Sequence, residues 1–165
     1  MPVTPKISPF LWFDTQAEEA ARFYVSIFPG SEILGLSHYG DWDAGRKGSV
    51  LTVTFRLGKQ EVVALNGGPQ FKFTEAISLA VECETQEEVD RYWKALTAGG
   101  GEEGPCGWLK DRWGLSWQVN PRRLGELIGD PDPKRAKAAM DAMLKQKKIV
   151  IAEIEAAADA ATEEA

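Results

Sequence analysis

Two stretches of this chain spell the same pattern, and that duplication constrains the fold more than any other feature. Ile7-Ser8 opens the first stretch and Ile77-Ser78 opens the second. The first continues through Thr15-Gln16-Ala17-Glu18-Glu19 to Arg22-Phe23-Tyr24, the second through Thr85-Gln86-Glu87-Glu88 to Arg91-Tyr92-Trp93. One residue inserted near Ala17 brings the two into line. Each reads as an apolar strand, a Thr-Gln turn and a helix. Each helix start carries a capping box, Thr15 with Glu18 and Thr85 with Glu88, whose side chains can satisfy N–H groups that a first turn leaves unpaired. The chain is therefore read as a duplicated βα unit.

The rest of each copy follows from periodicity. A helix is expected over 16–28, with Ala20, Phe23, Tyr24 and Ile27 at helical spacing and Pro29-Gly30 as its stop. Strands are expected over 32–39, 49–57 and 61–66, with a polar loop at 40–48 and Gly67-Gly68-Pro69 closing the module. The second copy gives a strand at 77–83, a helix at 86–98, a flexible joint at Gly99-Gly100-Gly101, and strands at 107–110 and 115–119 around a turn. Pro121 ends it. Beyond lie two helices. One spans 131–146, with Asp132-Pro133 as its start signal and Ala136, Ala139, Met140, Met143 and Leu144 on one face. The other follows Lys147-Lys148, with Ile151, Ile154 and Ala158 as its stripe and a fraying tail from 156 to 165. The modules fall at 5–69 and 70–121. A helical extension at 122–165 serves packing or dimerisation.

Composition narrows the function. The net charge of −6 disfavours nucleic acid and anionic membranes as partners. No apolar run approaches the ~18 residues that would span a bilayer. The opening Met-Pro-Val-Thr-Pro-Lys has no apolar core of a signal peptide, so a cytoplasmic location is expected. Cys83 and Cys106 form no CxxC pair and are expected as free thiols. The one histidine, His38, cannot supply a site that takes two or three imidazoles, and it reads as a structural residue on an edge strand. Against that shortage stand six tryptophans.

Longer runs carry a resemblance. Pro9-Phe10-Leu11-Trp12-Phe13, Phe23-Tyr24-Val25-Ser26-Ile27-Phe28-Pro29-Gly30-Ser31, Ala64-Leu65-Asn66-Gly67-Gly68-Pro69 with Phe71-Lys72-Phe73, and Cys106-Gly107-Trp108-Leu109-Lys110-Asp111 through Gly114-Leu115-Ser116-Trp117-Gln118 make the chain resemble the PhnB-like family, often labelled demethylubiquinone methyltransferase. That family lies in the vicinal oxygen chelate superfamily, with the glyoxalase and bleomycin-resistance fold. The resemblance covers roughly residues 5–150. It implies an α+β fold of tandem βαβββ modules forming a concave mixed sheet, and a homodimer. It also implies a divalent metal held from the first and last strands of each module, acting as Lewis acid on vicinal oxygens. The matching positions here are Ser8, Ser78, Gln118 and, in module one, Ala64 with Asn66 two residues on. Those are neutral, weak donors, so neither a tightly bound metal nor another cofactor is expected. Methyl transfer finds no support in the sequence: neither glycine run opens a helix after a strand, as a nucleotide-type donor would need.

Strand alternation then names the side chains expected to line a cavity: Ser8, Phe10 and Trp12; Thr52, Thr54 and Arg56; Val62, Ala64 and Asn66; Ser78, Ala80 and Glu82; Ser116 and Gln118. A one-residue register error would invert any row. Glu82 is the candidate catalytic residue, since a carboxylate in an apolar cavity is disposed to act as general base. Trp93 reads as core, while Trp108, Trp113 and Trp117 cluster in the last hairpin to close one end or form a contact. The expected activity is binding of an apolar or aromatic small molecule. An enzyme of the same fold and a structural dimerisation module are the alternatives.

Overall fold

The computed structural model describes residues 6–163. The chain divides into two compact units, Met1–Phe73 and Thr74–Ala165. The expected start of the first module at residue 5 and the last two residues of the tail lie outside the described residues.

The first unit contains β1 (Phe10–Phe13), α1 (Ala17–Ile27), β2 (Glu32–His38), β3 (Val50–Leu57) and β4 (Gln60–Asn66). Its sheet order is β1-β4-β3-β2, with β1 parallel to β4 and the other pairs antiparallel. The second unit repeats this with β5 (Ser78–Cys83), α2 (Gln86–Thr97), β6 (Glu102–Glu103), β7 (Trp108–Lys110) and β8 (Ser116–Pro121), in the order β5-β8-β7-β6. Again the first and last strands are parallel neighbours. The duplication read from the sequence is thus a duplication of topology. The two-residue β6, an edge strand in the glycine-rich joint, is too short for periodicity to reveal.

Each sheet buries one face under its helix. In the first unit Val53, Phe55, Val62 and Ala64 are fully buried with Ala17, Ala20, Ala21 and Tyr24 of α1. The Tyr24 ring lies 6.2 Å from that of Phe55. In the second, Cys83, Leu109, Trp117 and Val119 are buried with Val89, Tyr92, Trp93 and Leu96 of α2. Each such large apolar side chain contributes about 1.5–3 kcal/mol. Trp93 is core as expected. Trp117 is core as well, so of the three hairpin tryptophans it neither closes an end nor forms a contact, and the buried Asp111 carboxylate anchors it. That carboxylate accepts from the Trp117 indole (2.9 Å) and from the backbone N–H groups of Trp113 (2.9 Å) and Leu115 (3.1 Å).

The paired capping boxes are only half realised. Thr85 caps α2: its hydroxyl accepts from the Glu88 N–H at 3.2 Å, while the Glu88 carboxylate accepts from the Glu84 N–H at 2.8 Å. Thr15 does not cap α1. The helix starts at Ala17, so the inserted residue puts Thr15 one position too early, and Gln16 at the cap makes no side-chain cap bond. Asn66, at the end of β4, takes over. Its Oδ1 accepts from the Ala17 N–H at 2.8 Å, and its Nδ2 donates to the Val50 carbonyl at 3.1 Å.

The extension holds α3 (Arg122–Ile128), α4 (Pro133–Met143) and α5 (Ile151–Glu163). Leu124, Leu127, Ala139, Ile149, Ile154 and Ala158 form its own buried cluster. Asp132 caps α4 through the Lys134 N–H at 2.9 Å, with Pro133 in the first turn. Helix α5 continues to Glu163 and does not fray from 156. Ala158 is fully buried, and Arg135 donates to its carbonyl at 3.2 Å and to Asp159 at 2.9 Å. Helix α3 was not expected, because its seven residues with a central glycine give no readable period. Among the described residues no helix is long and apolar enough to cross a membrane.

Candidate functional site

Strand register decides which side chains share a face. In the first unit Phe10 pairs with Val63 and Trp12 with Leu65, while Thr52 pairs with Leu65, Thr54 with Val63 and Arg56 with Glu61. These residues form the face turned away from α1. Phe10, Trp12, Thr52, Thr54 and Arg56 are thus together, with Ser8 two residues ahead of β1 in line with Phe10. The row Val62, Ala64 and Asn66 is on the opposite, helix-covered face, opposite Phe55, Val53 and Phe13 respectively. Asn66 is therefore a helix-capping residue, not a member of the open face. The same register moves the fourth family position. Gln118 pairs with Ala80, two residues beyond Ser78; the equivalent partner of Phe10, two beyond Ser8, is Val63 and not Ala64.

The open face of the first unit is apolar and aromatic. The Trp12 indole donates to the Gly68 carbonyl at 2.9 Å and meets the Phe71 ring edge-on at 4.9 Å. A Cβ on Gly67 would sit 2.2 Å from that indole, so only glycine admits the ring there. Arg56 is paired with Glu32 at 3.0 Å. Phe10 and Phe71 remain exposed.

In the second unit the face turned away from α2 carries Ser78, Ala80 and Glu82 on β5, Ser116, Gln118 and Asn120 on β8, and Trp108 and Lys110 on β7. The Gln118 carboxamide donates to the Ser78 hydroxyl at 2.9 Å and accepts from the Asn120 carboxamide at 3.3 Å. A groove of about 560 Å³ lies on part of this face. Ala80, Glu82, Trp108, Gln118 and Asn120 line it from the sheet, and Arg122, Leu124, Gly125, Ile128 and Met143 line it from the extension. Beside it, a second groove of about 460 Å³ is lined by Trp108, Lys110, Ser116 and Glu75, with Lys110 and Glu75 ion-paired. The buried Ser116 hydroxyl has no partner among the described residues.

Glu82 does not have the apolar burial expected of a general base. Its carboxylate is 63% exposed and bonded to Arg122 at 2.8 Å, and the same guanidinium reaches Glu84 at 2.5 Å. Cys106 lines both grooves, in the left-handed region at φ +57°. Cys83 is buried, and desolvation, reinforced by Glu88, pushes its thiol up to about 12, so it stays neutral and inert. His38 is exposed on β2.

A divalent metal does not fit either open face. The first unit offers a hydroxyl at Ser8 and a hydrocarbon at Val63; the second offers the Ser78 hydroxyl and the Gln118 amide, already bonded to each other. Transition metals are held by imidazole, thiolate and carboxylate. Among the described residues no group of three or more such side chains could hold an ion.

Sequence reasoning missed Asn120, Arg122 and the α3 wall. Asn120 continues the parity of Gln118 and is found by extending β8 past Val119, while Arg122 opens α3. The wall had no such signal.

A family model described as 3-demethylubiquinone-9 3-methyltransferase matches residues 5–120. The PhnB protein of Bacillus cereus, whose structure carries the same description, is 38% identical, with a TM-score of 0.63 over 71% of this chain and 99% of that one. A Pseudomonas aeruginosa protein is 21% identical (TM-score 0.57; 72% and 98% covered), and the fosfomycin resistance protein FosX of Mesorhizobium loti 15% identical (TM-score 0.51; 72% and 91% covered). No curated protein matches. The last two likenesses speak for the fold alone. With duplicated βαβββ topology, a family match across both modules and the PhnB likeness in hand, the chain belongs to the PhnB-like family described as 3-demethylubiquinone-9 3-methyltransferase, within the glyoxalase and bleomycin-resistance fold.

Proposed function

We propose that this chain binds a small, neutral, largely apolar ligand on the open face of its second module, without a tightly bound metal. The observation that carries the reading is the Gln118–Asn120 carboxamide pair, anchored by the Ser78 hydroxyl, in a groove that Trp108, Leu124 and Ile128 also line. Small-molecule sites typically combine apolar walls with a few placed polar groups in this way. The volume falls within the usual ~300–1,000 Å³ range of such sites.

Methyl transfer to this chain rests on the family's description alone. The two strand-to-helix turns, Asp14-Thr15-Gln16 and Glu84-Thr85, contain no glycine to let a nucleotide-type donor approach the backbone. An enzymatic role would fall to Glu82, the one carboxylate lining the larger groove. Its pairing with Arg122 favours a place at the rim. Exposed Ile7, Phe10 and Phe71 support self-association as a homodimer, and the net charge of −6 supports a protein free of nucleic-acid or anionic-membrane partners; a cytoplasmic location is part of the same reading.

Titration with neutral aromatic compounds, followed by intrinsic tryptophan fluorescence in the presence of a chelator, tests the reading. Saturable quenching that the chelator leaves unchanged is expected. Quenching that appears only with an added divalent metal overturns it.

A further inference from the structure

We propose that Gly125 of α3 is the size-determining residue of the larger groove, kept without a side chain so that a flat ligand can lie between the extension and the sheet. This deepens the ligand-binding reading above and rests on it.

Helix α3 presents Arg122, Leu124, Gly125 and Ile128 to the groove, with Pro121 of β8 just before it. That is a stripe at helical spacing, apolar on both sides of the glycine. A glycine inside a helix is less favourable than alanine, so its presence needs a reason. Backbone conformation does not give one, because Gly125 is not among the glycines with positive φ. Close packing does not give one either, since a Cβ built on Gly125 meets nothing within 4 Å. What the missing side chain leaves is room in the groove. The same groove is lined by Trp108, Gln118 and Asn120, an indole and two carboxamides. The ligand class is a flat, neutral molecule with an amide, carbonyl or hydroxyl for the carboxamides and a hydrocarbon side for α3. Helix α3 lies beyond the 5–120 span of the family match, so this size limit belongs to the extension and not to the duplicated fold.

The experiment uses the full chain and phenylnaphthylamine, a neutral aromatic probe with one N–H. Nitrogen–proton correlation spectra follow the side-chain amides of Gln118 and Asn120, which report the groove itself. Gly125→Leu fills the space with a good helix former, and Gly125→Phe fills it further. Glu126→Phe, an exposed change on α3 outside the groove, is the control. The expected result is that the wild type and Glu126→Phe bind alike, while both Gly125 variants bind at least about tenfold more weakly, with a melting temperature equal to or above that of the wild type. Wild-type binding that Gly125→Leu and Gly125→Phe retain overturns the role of Gly125 and leaves the ligand-binding reading standing. Equal loss in Glu126→Phe also overturns it. Wild-type amide signals that do not move at the solubility limit of the probe overturn the ligand-binding reading, and this inference with it.

Discussion

Gln118 donates its side-chain N–H to the Ser78 hydroxyl at 2.9 Å, across the parallel pair β5–β8. The resemblance stated from the sequence would put metal ligands at both positions, and here the two side chains hold each other. Metal content tests that substitution. Purified protein is expected to carry zinc, manganese, nickel and iron far below one ion per chain, and calorimetric titration to show no tight site. A near-stoichiometric metal would contradict it.

Asp111 is the polar keystone of the second unit. It accepts three charge-assisted hydrogen bonds while 2% exposed, including that from the fully packed Trp117. Asp111→Ala strands those donors in the core and is expected to cost about 3–5 kcal/mol in urea unfolding. Asp111→Asn keeps acceptor capacity and should cost less.

The unequal helix starts give a contrast free of site effects. Thr85→Ala removes a working cap and is expected to cost about 1 kcal/mol. Thr15→Ala removes none and should fall within about 0.5 kcal/mol of the parent. Asn66→Ala frees the Ala17 N–H and the Val50 carbonyl and should cost about 1–3 kcal/mol. Equal losses at Thr15 and Thr85 would contradict the assignment.

Acid should loosen the extension. The Asp132 backbone N–H, and then Arg135, hold the Asp130 carboxyl below its ordinary value; Lys148, and then Gln86, do the same for Asp90. A carboxyl lowered in the folded state adds stability above its unfolded pKa of about 3.9 and loses it as the pH falls through the folded value. Thermal melts between about pH 6 and pH 2 should show stability falling below about pH 4. Asp130→Asn should flatten that limb, and an unchanged limb would remove Asp130 from the account.

Legibility followed contrast between residue types. In β3, Thr52, Thr54 and Arg56 alternate with Leu51, Val53 and Phe55, so period two assigns the faces and the structure agrees. In β4 both rows are apolar, Val62 and Ala64 against Val63 and Leu65, so alternation carries no information and the pairing of β1 with β4 decides. That is why alternation alone does not show that Asn66 is on the helix-covered face. The topology was legible because it is written twice. The groove was not, because one wall comes from the extension, where a short helix carrying a glycine meets a sheet that periodicity cannot dock.

The central claim is that the ligand lies on the open face of the second module, and tryptophan replacement tests it most directly. Trp108 lines that groove, and Trp12 sits on the open face of the first unit. Titrating Trp108→Phe and Trp12→Phe with a neutral aromatic ligand should show quenching lost in the first and kept in the second. Quenching kept in Trp108→Phe and lost in Trp12→Phe would contradict the account.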